Sequence, residues 1–108
     1  MVKNSNQVLE RLFETIKSRK SANPTSSYTA SLFAAGMPEI SKKVGEEAIE
    51  IITAGLSKSG SVASESADLL YHLLVLWAAA DIKPSDVWSE LEKREGVSGI
   101  DEKHHENN

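Results

Sequence analysis

Three observations predict an all-α fold, an antiparallel helical bundle of about five helices. Apolar residues recur at helical spacing, as in Val8, Leu9, Leu12, Phe13 and Ile16. No stretch alternates apolar and polar residues in the manner of a strand. The apolar content lies mainly in Leu, Ile, Val and Ala, with aromatic residues only 6% of the chain, so packed helices rather than a sheet should form the core. A chain of 108 residues suits one domain, expected over residues 1–96, with a core that is marginal for a monomer.

The first helix is expected from Asn6 to Lys20, capped by Asn4 or Ser5. Lys17, Arg19 and Lys20 at its end suit the helix dipole, and would equally make an electropositive rim for an anionic ligand. Both readings stay open. The segment SANPTSSYT is a loop by composition. It leads into a short helix from Tyr28 to Ala35 that stops at Gly36, and capping alone accounts for the hydroxyls at its start.

Pro38 opens the third helix, which runs to Leu56. Gly45 inside it costs up to about 1 kcal/mol relative to alanine, so a close approach of another helix or of the ligand is expected there, close packing being the first reading. After the turn Ser57-Lys58-Ser59-Gly60, a fourth helix spans Val62 to Ala80. Pro84 starts the last, to Arg94, with Val87, Trp88 and Leu91 inward and Glu90, Glu92 and Lys93 outward. Beyond Gly96 the residues VSGIDEKHHENN read as a flexible tail over 97–108, in which His104, His105 and Glu106 imitate a metal site by composition only.

A formal charge of −4 argues against a nucleic-acid partner held through phosphate-tracking lysines and arginines. The absence of cysteine removes disulfide and thiol chemistry. No apolar span is long enough for a membrane, and the N-terminus MVKNSNQVLERLFE lacks a leader's apolar region. A cytoplasmic protein with no membrane partner is expected.

Five acids stand where folding alone would not put them. Glu46, Glu47 and Glu50 occur in KVGEEAIEII, and Glu65 and Asp68 in SESADLLYHLL. At about 100° per residue, the first three share one arc of the third helix, while Val44, Ala48, Ile51 and Ile52 gather on another. On the fourth helix, Ala67 to Ala80 is apolar nearly all round and is expected to be buried on most sides. Glu65, Asp68 and His72 line up on one stripe of it. Carboxylates in such surroundings must be paired, protonated or bound to a metal. Lys42 and Lys43 are too few to neutralise them, which points to a divalent cation. An all-oxygen donor set favours magnesium, with manganese possible, over zinc or copper. Magnesium usually arrives with phosphates, so a nucleotide ligand follows.

The pattern EExxE, followed after fourteen residues by ExxD, resembles the signature of the all-α nucleotide pyrophosphohydrolases of the MazG-like group. Three blocks narrow the likeness: Ser27-Tyr28-Thr29-Ala30, KKVGEEAIE from Lys42 to Glu50, and ADLLYHLLVL from Ala67 to Leu76. Over Val8 to Arg94 the chain is similar to the phosphoribosyl-ATP pyrophosphatases of histidine biosynthesis.

The resemblance implies a MazG-like bundle completed as a homodimer. It also implies water attack that splits phosphoribosyl-ATP between its α and β phosphates into phosphoribosyl-AMP and pyrophosphate. Glu47, Glu50, Glu65 and Asp68, paired at i, i+3 on facing helices, are the expected metal ligands. Glu46, Glu47 and Glu50 are the expected catalytic set, in which Glu46 ligates, orients the water, or pairs with Lys42 or Lys43. Ser27, Tyr28, Thr29, Lys42 and Lys43 are the expected substrate contacts. His72 either supports the Asp68 carboxylate from behind by a hydrogen bond or is a satisfied core histidine.

The chain after Arg94 is too short for the cyclohydrolase domain of some relatives, so a single activity is expected. Two rival readings are a house-cleaning nucleoside triphosphate pyrophosphohydrolase of the same superfamily and a non-catalytic helical oligomerisation module.

Overall fold

A computed structural model describes residues 7–58 and 60–96. Every regular element among them is helical. In chain order these are α1 (Val8–Ser18), a 3₁₀ turn (Arg19–Ser21), α2 (Tyr28–Ala35), α3 (Met37–Ser57), α4 (Val62–Ala79) and α5 (Pro84–Glu92). The all-α expectation holds. The polar stretch 97–108, with His104, His105 and Glu106, lies outside the described residues, as do Asn4 and Ser5. No helix among the described residues is long and apolar enough to cross a membrane.

The local chemistry of each junction explains where the helices stop. α1 begins at Val8, with Gln7 at the cap position making no side-chain bond, and it tightens into the 3₁₀ turn at Arg19; Asn6, the expected start, lies outside the described residues. α2 is capped by Ser27, whose hydroxyl oxygen accepts the Ala30 N–H at 3.1 Å. Gly36 both ends α2 and starts α3: its N–H donates to the Leu32 carbonyl and its own carbonyl accepts from the Ile40 N–H, each at 3.1 Å. A φ of +92° permits this, a conformation that favours glycine. Lys58, at φ 54°, ends α3 in the left-handed region. At the start of α5 the Asp86 carboxylate accepts the Lys83 N–H at 2.9 Å.

α3 and α4 form the largest helix pairing in the molecule. Joined by a short turn, they lie antiparallel as a helical hairpin. The core sits at one end of that hairpin, where Phe13 and Ile16 of α1, Leu32 of α2 and Ile40 of α3 close on Leu74, Val75 and Ala78 of α4. α5 is attached at its rim. There Trp88 meets Trp77 edge to face, with centroids 6.0 Å apart, and its indole N–H donates to Glu10 at 2.8 Å. Lys20 pairs with Asp81 at 3.4 Å. Asp81 follows the C-terminal end of α4, about 20 Å from Asp68 at 1.5 Å rise per residue, so Lys20 stands far from the acidic residues.

Three expectations need correction. The segment from Ala67 to Ala80 is enclosed only in part: His72, Leu74, Val75 and Ala78 are buried, whereas Ala67, Asp68 and Leu70 are exposed, because the core-forming side chains of α1 and α2 meet its C-terminal half. Val44, Ala48 and Ile51 are half-buried on the inner side of α3. Its buried side chains are Ile40 and Ala54, while Ile52 is 59% exposed and stands with Ile49 at 63% and Leu56 at 82%. Gly45 is not packed against a neighbouring helix, since a Cβ there would meet nothing within 4 Å. In α5, Val87 and Trp88 are half-buried as their spacing suggests, but Leu91 is exposed.

Leu74 has no exposed surface and lies at the centre of the core. Leu74→Ala should therefore cost about 2 to 5 kcal/mol, read as a lowered urea midpoint with an unchanged slope.

Candidate metal centre

The open half of the hairpin carries the acids. Carboxylate oxygens of Glu47 on α3 and of Glu65 and Asp68 on α4 all lie within 4.8 Å of one another, close enough to share one cation. Glu47 and Glu65 are half-buried and Asp68 is exposed. The i, i+3 spacing of Glu65 and Asp68 puts both on one side of α4, and the antiparallel hairpin turns Glu47 toward them. Every donor is oxygen, which suits magnesium or manganese.

Glu50 is exposed and outside this trio. Its charge is nevertheless the strongest of the carboxylates acting on Glu65. Desolvation, followed by the charges of Glu50, Asp68 and Glu47, holds the Glu65 carboxyl above the ordinary glutamate value of 4.5. Glu46 makes a different choice among its open roles, pairing with Lys43 at 3.4 Å. That pairing, with further help from Tyr28 and Glu39, raises the Lys43 ammonium above its usual range. Lys42 is exposed and forms no ion pair within 4 Å among the described residues.

The start of α2 is tied to the middle of α4 by two crossed side-chain bonds. The Tyr28 hydroxyl lies 3.0 Å from His72 Nε2, and the Thr29 hydroxyl bonds that of Tyr71. His72 is 7% exposed, and its Nδ1 lies 2.8 Å from the Asp68 main-chain carbonyl. Both ring nitrogens are thus engaged. The expected bond from His72 to the Asp68 carboxylate is not made, and the core-histidine alternative describes its contacts.

Thr29 is buried with its hydroxyl turned to Tyr71, and the Ser27 hydroxyl is occupied by its cap bond. Of the three α2 residues, Tyr28 is the one left half open. Burial raises its phenol, Lys43 offsets part of that, and Tyr71, Glu47 and Glu46 push it further up. The phenol therefore keeps its proton beside the acids. Tyr71 is the participant that sequence reasoning passed over. The available signal was two adjacent polar-tipped pairs, Tyr28-Thr29 and Tyr71-His72, one on each helix.

Residues 9–95 match the family model described as phosphoribosyl-ATP pyrophosphohydrolase. The chain belongs to that family. Phosphoribosyl-ATP pyrophosphatase of Azospirillum brasilense is 56% identical over 97 residues, covering 89% of this chain and 87% of the relative. That of Parvibaculum lavamentivorans is 57% identical over 96 residues, with 88% of each chain covered. That of Trichlorobacter lovleyi is 56% identical over 102 residues, or 93% and 94%. All three blocks quoted from the sequence fall within the span matched to the phosphoribosyl-ATP pyrophosphohydrolase model.

The raised Glu65 value fixes the sign of a pH effect. The folded chain holds this proton more tightly than the unfolded chain, so the contribution favours folding in acid. It is lost as pH rises through the folded value. Glu65→Gln should accordingly raise the melting temperature of metal-free protein at neutral pH, and the gain should vanish below the ordinary value of 4.5. Thermal melts of both proteins across that range test this.

Proposed function

We propose that this chain hydrolyses phosphoribosyl-ATP to phosphoribosyl-AMP and pyrophosphate, the second step of histidine biosynthesis, in the cytoplasm and with magnesium or manganese as cofactor. The observation that carries the reading is the convergence of Glu47, Glu65 and Asp68 within 4.8 Å, in a chain whose residues 9–95 match the family. A metal held there would offset charge on the phosphate oxygens and polarise the attacking water.

The chain's own groups do the rest. Glu47, Glu65 and Asp68 would hold the cation, and Glu50, beside Glu65 but outside the trio, would orient the water and accept its proton. Lys43, kept charged by Glu46, and Lys42, free of ion pairs among the described residues, attract the phosphate chain. No covalent intermediate is needed. Against the solvated-face alternative stands the geometry: carboxylate oxygens from two helices converge within 4.8 Å, and two of the three residues, Glu47 and Glu65, are half-buried.

The active form is a homodimer. Ile49, Ile52 and Leu56 recur along α3 on the side away from Ile40 and Ala54, with Val62 and Leu70 of α4 also uncovered. Full burial of one such side chain is worth about 1.5 to 3 kcal/mol, so a second copy laid on this face gains substantially. Gly45 lies on the same stripe as Ile49 and Ile52, four and seven residues before them, and leaves room for a close approach.

Assay with phosphoribosyl-ATP, reading pyrophosphate and phosphoribosyl-AMP, tests the activity; turnover of dCTP or dUTP with none of phosphoribosyl-ATP would reverse it in favour of a house-cleaning enzyme. Glu47→Gln and Asp68→Asn should lower kcat at least about a hundredfold, the upper end found for groups one step further from a metal. Both should also abolish the rise in melting temperature that magnesium gives the parent protein. Ile52→Asp should convert the dimer to monomer in sedimentation velocity.

A further inference from the structure

Tyr28 has one hydroxyl proton, and the geometry around His72 decides where it goes. A carbonyl oxygen only accepts, so the Nδ1 that sits 2.8 Å from the Asp68 carbonyl carries a hydrogen. In the neutral ring, Nε2 then presents a lone pair. The Tyr28 hydroxyl, 3.0 Å away, donates to it. What Tyr28 can still offer is lone pairs alone.

This bears on the ligand. Phosphate oxygens are acceptors, and two acceptors facing each other across a hydrogen-bond distance repel. The surroundings of Tyr28 suit a different part of a nucleotide. Tyr28 is 53% exposed, and its ring stacks on Tyr71, with centroids 6.4 Å apart and planes 20° from parallel. A flat apolar surface beside a fixed acceptor matches a nucleoside, which has a planar base and O–H or N–H edges.

Resting on the activity proposed above, we infer that His72 is a positioning residue. It takes the Tyr28 proton and so fixes the Tyr28 oxygen as an acceptor at the edge of the carboxylate groove. That oxygen receives an O–H or N–H from the nucleoside part of the substrate, a ribose hydroxyl or the base amine, and does not contact a phosphate.

The test compares Tyr28→Phe, His72→Phe and His72→Gln with the parent protein. Tyr28→Phe should raise KM roughly three- to tenfold, the range for loss of one uncharged hydrogen bond, with kcat within about twofold. Inhibition by pyrophosphate, which has acceptors and no nucleoside, should be unchanged. His72→Phe should show the same KM rise with Tyr28 still in place. His72→Gln should restore the parent KM, because the amide oxygen takes the phenol proton and the amide N–H reaches a carbonyl.

Calorimetric titration without metal, using AMP, 2′-deoxy-AMP, 3′-deoxy-AMP and purine riboside monophosphate, separates the two donor sources. The analogue lacking the donor should bind the parent weakly and lose nothing further in Tyr28→Phe. Tyr28→Phe removes only a hydroxyl from a half-exposed ring, so its result stands even where His72→Phe fails to fold. The inference is overturned if folded Tyr28→Phe keeps the parent KM. It is equally overturned if pyrophosphate inhibition weakens as much as KM rises, or if every analogue binds the parent as AMP does. Failure of the parent protein to split phosphoribosyl-ATP would sink the activity itself, a result separate from these variant-to-parent ratios.

Discussion

Glu47, Glu65 and Asp68 repel one another across less than 5 Å, and the rest of the fold is arranged so that this repulsion can be sustained. Coulomb energy at such distances is modest in water and grows as water is excluded. The chain keeps the trio at the open half of a helical hairpin and gathers its apolar side chains at the other half. Phe13, Ile16, Leu32, Ile40, Leu74, Val75 and Ala78 clamp the hairpin where no acid interferes. Clamped there, α3 and α4 cannot splay, and the carboxylates stay together although nothing beside them favours it. Desolvation first, and then the neighbouring charges of Glu50, Asp68 and Glu47, hold the Glu65 carboxyl above its ordinary value.

α2 is the second brace. It is short, it packs against both hairpin helices, and its first turn sends two hydroxyls into α4. Because Tyr28 reaches His72 while Thr29 reaches Tyr71, the contact has a defined register: sliding α2 by one residue would break both bonds. Each partner satisfies a group that would otherwise be costly to bury. Among the described residues no buried side-chain polar atom lacks a partner. Tyr28 thus belongs to both regions: its hydroxyl pairs with buried His72 while about half of the residue stays open beside the acids.

Much of this was legible in the residues. Ser27 and Gly36 bracket α2 because a cap and a positive φ each demand particular chemistry. The paired spacing of Glu65 with Asp68, facing Glu47 across a short turn, was enough to bring the trio together. Other features depend on what sequence periodicity does not contain. Glu46 and Glu50 share the arc of Glu47 but not its place, since a single ion pair to Lys43 and a small angular offset separate them. The apolar character of α4 indicated burial, and only its C-terminal half is covered by α1 and α2. The bare stripe of Ile49, Ile52 and Leu56 was hidden because a helix with two apolar sides looks like a helix with one broad side. His72 kept two readings until its ring nitrogens were located.

Gly36 gives the joint between α2 and α3 no slack. One residue serves as the end of the first helix and the start of the second, through hydrogen bonds in both directions, so the aromatic rim on one rod and the acidic ladder on the other turn as a single lever. An elongated linker at this point would uncouple them. The molecule would keep every side chain discussed above and lose their common frame of reference.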